Sequence, residues 1–225
     1  MDERLKRELA EAAAECENVH FIGSDPVQFP HRYTDRHDIE VSAFISAWMA
    51  YGSRRVFLKV LEKLHTVMDG CGGPYAFVRK RRFIGLDVDA DSCLYRFYKW
   101  ADFLKLCDRL SKAYGEMDSL ESFFIPGHQL SEGVERLCRF FDGVQGIPVA
   151  GSTSANKRFY MFLRWMVRRN SPVDFGIWTS VKPSQLIIPL DTHVFQAAVR
   201  PDVAQERRPE DCPGDYCQDG RAVAR

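Results

Sequence analysis

The sequence has no surplus of charge of either sign. Lys plus Arg number 31, and so do Asp plus Glu. Global charge therefore neither favours nor excludes a polyanionic partner, and only local clusters can speak to one. No apolar run approaches the ~20 residues of a membrane-spanning helix, so no membrane association is expected. The opening Met1-Asp2-Glu3-Arg4 lacks the basic-then-apolar pattern of a secretory leader. The seven cysteines are odd in number and follow no paired spacing, which argues against a disulfide framework and suits a reducing, cytoplasmic setting. Strand-like alternation is scarce as well. Phe83-Ile84-Gly85-Leu86-Asp87-Val88 alternates briefly, but without an obvious partner strand.

What the sequence does contain is enough apolar material for a sizeable core, 45% of 225 residues with aromatics at 12%, arranged in a helical rhythm. Leu5, Leu9, Ala12, Ala13 and Cys16 mark one face of a first helix. A turn-rich stretch over 23–36 follows, broken at Asp25-Pro26 and Phe29-Pro30. Asp38 or a neighbour is expected to cap a helix carrying Ile39, Phe44, Ile45, Trp48 and Met49. Ser53 is placed to cap the next, which holds Val56, Leu61, Leu64 and Met68. Further helices are predicted around 92–113 and 131–141. The expected fold is all-α and multi-helical with little or no sheet: one domain over residues 1–200, large enough for two helical halves flanking a cleft. Residues 201–225 hold three prolines and no Leu, Ile, Phe, Met or Trp, and read as a disordered tail. Nothing in the sequence sets an oligomeric state, and a monomer is the default expectation.

Local charge does cluster in one place. Between positions 143 and 173 there are five basic residues and no acidic one. On a helical wheel over 157–169, Lys157, Met161, Arg164 and Arg168 form one stripe, flanked by Arg158, Trp165 and Arg169. Phe159, Phe162, Leu163, Met166 and Val167 take the opposite side. One face suits a core and the other suits an anion such as phosphate, or equally a set of distant carboxylates. Lys157 follows the loop Gly151-Ser152-Thr153-Ser154-Ala155-Asn156, whose free backbone N–H groups also suit phosphate, and an amine there is a candidate Schiff-base nucleophile. A lysine at a helix start is also commonly idle. Asp191, after Pro189-Leu190 and before Thr192-His193-Val194, reads either as an ordinary N-cap contributing about 1 kcal/mol or as a catalytic carboxylate. Trp165, Trp178 and Phe175 could stack on a base or belong to the core. The run Arg79-Lys80-Arg81-Arg82 offers a second phosphate contact or a solvated loop. His31, His37 and Asp38 fit no standard metal spacing, and Cys71 has no base beside it in sequence.

The segment Pro189-Leu190-Asp191-Thr192-His193-Val194 resembles the V-D-T-H-V stretch of the helix–hairpin–helix DNA glycosylases, in which the aspartate is catalytic and bifunctional members carry a Schiff-base lysine at a helix start. Lys157 matches that lysine by order and local pattern, 34 residues before Asp191. Over a longer span, up to about Arg200, the chain resembles a bacterial family of uncharacterised proteins. The matching pieces are Ser24-Asp25-Pro26, Asp38-Ile39-Glu40, Ala50-Tyr51-Gly52, Tyr95-Arg96-Phe97, Lys157-Arg158, the run Met161-Phe162-Leu163-Arg164-Trp165-Met166-Val167-Arg168, Asp174-Phe175-Gly176-Ile177-Trp178 and Ile188-Pro189-Leu190-Asp191-Thr192-His193.

The uncharacterised family carries no established activity, but the glycosylase resemblance implies a DNA N-glycosylase and abasic-site lyase acting on a flipped-out base. Lys157 and Asp191 would be catalytic, Arg158, Arg164, Arg168, Ser152 and Ser154 would hold the nucleic acid, and Trp165 or Trp178 would stack on the base. The sequence departs from the glycosylase pattern at three points. The hairpin usually reads L-P-G-V-G, where this chain has Ile147-Pro148-Val149-Ala150-Gly151. Only Cys212 and Cys217 follow Asp191, so no iron–sulfur cluster, and no other cofactor or metal, is expected. The polar C-terminal stretch differs from the family's. The competing expectations are a non-catalytic nucleic-acid-binding protein of the same fold and an inactive, truncated product.

Overall fold

The computed structural model describes residues 3–189. Its organising element is the helix α3 (Arg36–Met49), in which every residue from Ile39 to Met49 is buried. A helix covered on all sides must lie inside the molecule, and the small Ala43, Ser46 and Ala47 let neighbours approach it closely. Asp35, not Asp38, caps it, accepting from the backbone N–H groups of His37 and Asp38. The Asp38 carboxylate turns instead to a neighbouring helix start and accepts from the Tyr75 N–H at 2.8 Å.

The longer helices after α3 each bury one apolar stripe. Ahead of it lie α1 (Glu3–Cys16), α2 (Val19–Ile22) and two 3-10 turns opened by Pro26 and Pro30. After it come α4 (Arg54–Asp69), burying Phe57, Leu61, Leu64, His65 and Met68, and the short α5 (Pro74–Arg79). The helix α6 (Trp100–Glu116) buries Phe103, Leu106, Cys107, Leu110 and Tyr114. Leu130, Val134, Leu137 and Cys138 line the inner face of α7 (Leu130–Phe140). Phe159, Phe162, Leu163 and Met166 do the same in α8 (Lys157–Val167). Spacings of three and four residues produce these stripes, and each large side chain removed from water contributes about 2 kcal/mol. The fold is all-α, and α3 packs directly on α8, α5 and α4.

The briefly alternating 83–88 stretch, without a partner strand in the sequence, holds a 3-10 turn over Arg82–Gly85, with Phe83 as its buried anchor. One local expectation needs correction. The segment expected to begin a helix near 92 instead forms a small antiparallel hairpin, β1 (Cys93–Tyr95) with β2 (Tyr98–Lys99), before α6 starts. Burial of Tyr95 and Tyr98 on the core stabilises this pair beyond what two short strands supply alone.

Two of the buried polar side chains, Glu40 and His65, have every polar side-chain atom hydrogen-bonded. Glu40 on α3 is 2% exposed. Its Oε1 accepts from Ser119 Oγ (2.6 Å) and Trp178 Nε1 (2.5 Å), and its Oε2 from Tyr114 Oη (2.6 Å) and Leu120 N (2.9 Å). All four lone-pair positions are occupied, which ties α3 to α6, to the turn after it and to the chain beyond α8. His65 is also sealed in the core. Its Nδ1 lies 2.8 Å from the Leu61 carbonyl, which can only accept, so that nitrogen carries the hydrogen; Ser42 Oγ donates to Nε2 at 2.8 Å. Burial pushes the imidazole down to about 4, and the ring is neutral.

Candidate nucleic-acid interface

The loop joining α7 to α8, residues 141–156, has two halves of different character. The first is held down through its carbonyls. Lys105 Nζ donates to Gly143 O (2.6 Å), Arg109 to Asp142 O (3.3 Å) and Trp48 Nε1 to Gln145 O (2.8 Å). Gly146 has φ 82° and lies so close to Tyr98 that a Cβ there would meet the phenol oxygen at 2.2 Å, so only glycine fits. The second half, residues 151–155, is fully at the surface, with Ser152 and Ser154 both exposed. Ser154 Oγ accepts from the Asn156 N–H at 3.2 Å, and no side chain caps α8.

Lys157 is the first residue of α8 and is exposed. Its neighbour Arg158 is half-buried and spends its guanidinium on the protein itself. It donates to Trp48 O (2.6 Å), to Tyr98 Oη (2.6 Å) and to Gly146 O. One side chain thereby clamps the first turn of α8 to the end of α3, the β-hairpin and the anchored half of the loop. Arg158 is expected from sequence to hold nucleic acid; the geometry makes it the clamp that presents Lys157.

Farther along α8, Arg164 and Arg168 meet the competing expectation of distant carboxylates. After Val167 the chain folds back, and the N–H groups of Phe175 and Trp178 satisfy the carbonyls of Trp165 and Met166 at 2.8 and 2.9 Å. This return places Asp174, whose side chain is 0% exposed, between the two arginines. Its Oδ2 accepts from Arg164 Nε (3.2 Å) and from Arg168 Nε. Arg168 also pairs with Glu17 and donates to Ser171 Oγ (3.0 Å). Asp174 is the residue immediately past the acid-free stretch that suggested an unpartnered patch. Asp25 belongs to the same cluster: burial and nearby Asp174 push its carboxyl up, while the Val27 N–H, Arg54 and Arg164 pull it down. Trp165 and Trp178 are buried at 3% and 0%, with Trp178 hydrogen-bonded to Glu40. Neither indole has a face open for stacking.

The remaining sequence candidates go to separate places. Arg81 pairs with Asp108 at 2.8 Å. His31 Nε2 faces the Val173 carbonyl at 2.8 Å and His37 Nε2 faces Asp118 at 3.1 Å, and among the described residues no group of three His, Cys, Asp or Glu is placed to hold a metal. The cysteines at 71, 93, 107 and 138 carry free thiols. Asp191 and the 201–225 stretch lie outside the described residues. An open depression of about 400 Å³ is lined by residues 127–131, Gln185 and Ile187, and shares no residue with the loop or Lys157. No helix among the described residues is long and apolar enough to cross a membrane.

One surface feature beside the loop is absent from the sequence-based site. Tyr51 (46% exposed) and Phe97 (47%) are the exposed aromatic side chains among the described residues. They meet with ring centroids 5.2 Å apart, and Arg96 lies over the Tyr51 ring at 5.5 Å. Tyr51 and Phe97 are 46 positions apart, and only the tertiary fold brings them together. The legible signal was a tight Tyr-Arg-Phe-Tyr turn read as helix.

Residues 25–212 match the family model of a protein of unknown function, DUF2400. No curated protein and no solved structure matches the chain.

Proposed function

This chain belongs to the DUF2400 family of proteins of unknown function, and we propose that it binds nucleic acid through the α7–α8 loop and uses Lys157 as the nucleophile of a base-excision reaction. The observation that carries this reading is the setting of Lys157. It stands at the exposed start of a helix whose first turn is locked by Arg158, directly after a glycine-, serine- and threonine-rich surface loop. Backbone N–H groups and the Ser152 and Ser154 hydroxyls suit a sugar–phosphate backbone, which such groups position without reading sequence. An extruded nucleotide would then present its sugar to the amine. The amine would add to C1′ as the base leaves with the glycosidic electron pair. Asp191 would stabilise the cationic sugar as the base leaves and accept the amine's proton; cleavage of the C1′–O4′ bond, with O4′ taking the bond pair and a proton, then turns the C1′ adduct into an imine that opens the route to strand cleavage.

A second reading is a nucleic-acid-binding protein without chemistry. It is favoured by Arg164 and Arg168 being committed to Asp174 and by the two indoles being core, since neither set then serves a substrate. Borohydride trapping on duplex DNA containing a damaged base or an abasic site separates the two. A covalent adduct with the natural chain, absent in Lys157→Ala and weakened in Asp191→Asn, is the expected result. An adduct that survives Lys157→Ala removes the lysine from the chemistry. Salt-sensitive binding with no adduct selects the second reading.

A further inference from the structure

The hairpin tip carries an unusual combination of residues. A two-residue turn between β1 and β2 normally places Gly, Asn or Asp where φ is positive. Here the position holds Arg96, with φ 54°, a conformation that costs a non-glycine residue on the order of 1 kcal/mol. The next residue is the exposed Phe97. The turn therefore displays a cation and an aromatic ring where small residues would be less strained.

The surroundings set the places of these two side chains. Gly52 has φ 77°, and a Cβ there would lie 2.2 Å from Arg96 Nη1, so the arginine rests in space that glycine alone leaves open. Tyr95 Oη donates to the Tyr51 carbonyl at 2.7 Å. Phe97 packs on the buried Tyr98 with centroids 4.7 Å apart. Tyr98 in turn accepts from Arg158 at 2.6 Å, the residue next to Lys157. Arg96 donates no side-chain hydrogen bond and pairs with no carboxylate among the described residues. Two exposed rings and a guanidinium that lies over one of them, with no carboxylate partner among the described residues, thus stand on the same frame that fixes the start of α8.

We infer that Tyr51, Arg96 and Phe97 form a stacking site for an unpaired nucleotide, with a base stacked on the Phe97 ring, Tyr51 standing at 61° to it as the wall of the site, and its phosphate on Arg96. The inference rests on the nucleic-acid reading above and replaces Trp165 and Trp178 as stacking residues. Aromatic rings accept any base by its π-face, and an unpaired arginine supplies the charge that the phosphate needs. A protein surface partner would also be served by two aromatics. The uncompensated cation beside a proposed phosphate-binding loop favours the polyanion.

The test is fluorescence anisotropy of the full chain with a labelled oligothymidine single strand and, separately, a blunt duplex. Removing a stacking ring in Phe97→Ala or Tyr51→Ala is expected to weaken single-strand binding by about 10-fold or more, with duplex binding changed by less than about two-fold. Phe97→Trp should retain single-strand affinity. Arg96→Ala should weaken it and flatten its salt dependence. Both rings are half-exposed, and unchanged thermal melting of the variants will confirm that folding is intact. Equal affinity of the natural chain and both ring variants for the single strand overturns the stacking site while leaving nucleic-acid binding standing. Failure of the natural chain to bind either probe overturns both. A shift in oligomeric state in Phe97→Ala, with oligonucleotide binding unaltered, reassigns the patch to self-association.

Discussion

The two ends of α8 carry basic residues of the same kind and put them to different uses. At the C-terminal end, Arg164 and Arg168 converge on the buried carboxylate of Asp174. At the N-terminal end, Arg158 is consumed by a carbonyl clamp and Lys157 is left at the surface beside an exposed loop. A helical wheel puts Lys157, Arg164 and Arg168 on one stripe with Arg158 beside it. What separates them is the chain that packs against each turn: a returning segment with an aspartate at one end, and at the other the end of α3 and the loop, which offer backbone carbonyls, with a hairpin that offers a phenol oxygen. Where a carboxylate of the protein reaches a basic residue, as Asp174 reaches Arg164 and Arg168, that residue is spent within the fold.

The comparison can be broken most directly at Asp174. Asp174→Asn leaves two arginines without their buried counter-charge and is expected to destabilise the fold by about 3 kcal/mol, read as a lowered urea midpoint. Stability should also fall by a comparable amount in mild acid because of His65. Its folded value of about 4 lies below the ordinary 6.5. The unfolded chain therefore takes up a proton that the folded chain refuses, and stability is full above pH 6.5 and lost as pH drops toward 4. The loss is about 3 kcal/mol, and denaturation series in His65→Gln should show a shallower pH dependence across that window. Arg158→Ala removes three hydrogen bonds to neutral acceptors and should cost about 2 kcal/mol, with a larger loss of trapping than of stability if the clamp presents Lys157. Lys157→Ala should leave stability within about 0.5 kcal/mol while abolishing the trapped adduct. Arg164→Gln should change oligonucleotide affinity by less than about two-fold, as expected of a side chain already committed within the protein. A larger loss would return the phosphate role to the far end of the helix.

Much of the fold was legible because helices are written in local spacing. The stripes on α4, α6, α7 and α8 follow from apolar residues three and four apart. The error falls where a short-range pattern lacks that repetition: the 92–99 segment reads as helix until the burial of Tyr95 and Tyr98 shows a hairpin. Asp35 and Asp38 were equivalent as caps in the sequence, and only the packing of α5 against α3 drew Asp38 away. The candidate site was half legible. Lys157 and its loop could be picked out by a helix start after small polar residues. The neighbouring pair Tyr51 and Phe97 could not, because their contact depends on how a hairpin folds onto the end of α3.

The sequence by itself determined the all-α class, the helical periods, and the presence of an exposed lysine at one helix start, since each depends on residues within a turn or two of one another. The tertiary structure alone decided which charged groups are available to a ligand. Arg158 reaches Trp48 across 110 positions, Trp178 reaches Glu40 across 138, and Arg168 reaches Glu17 across 151. Desolvation and hydrogen bonding act through space, so residues of identical local appearance become clamp, core or open surface according to what the fold sets beside them.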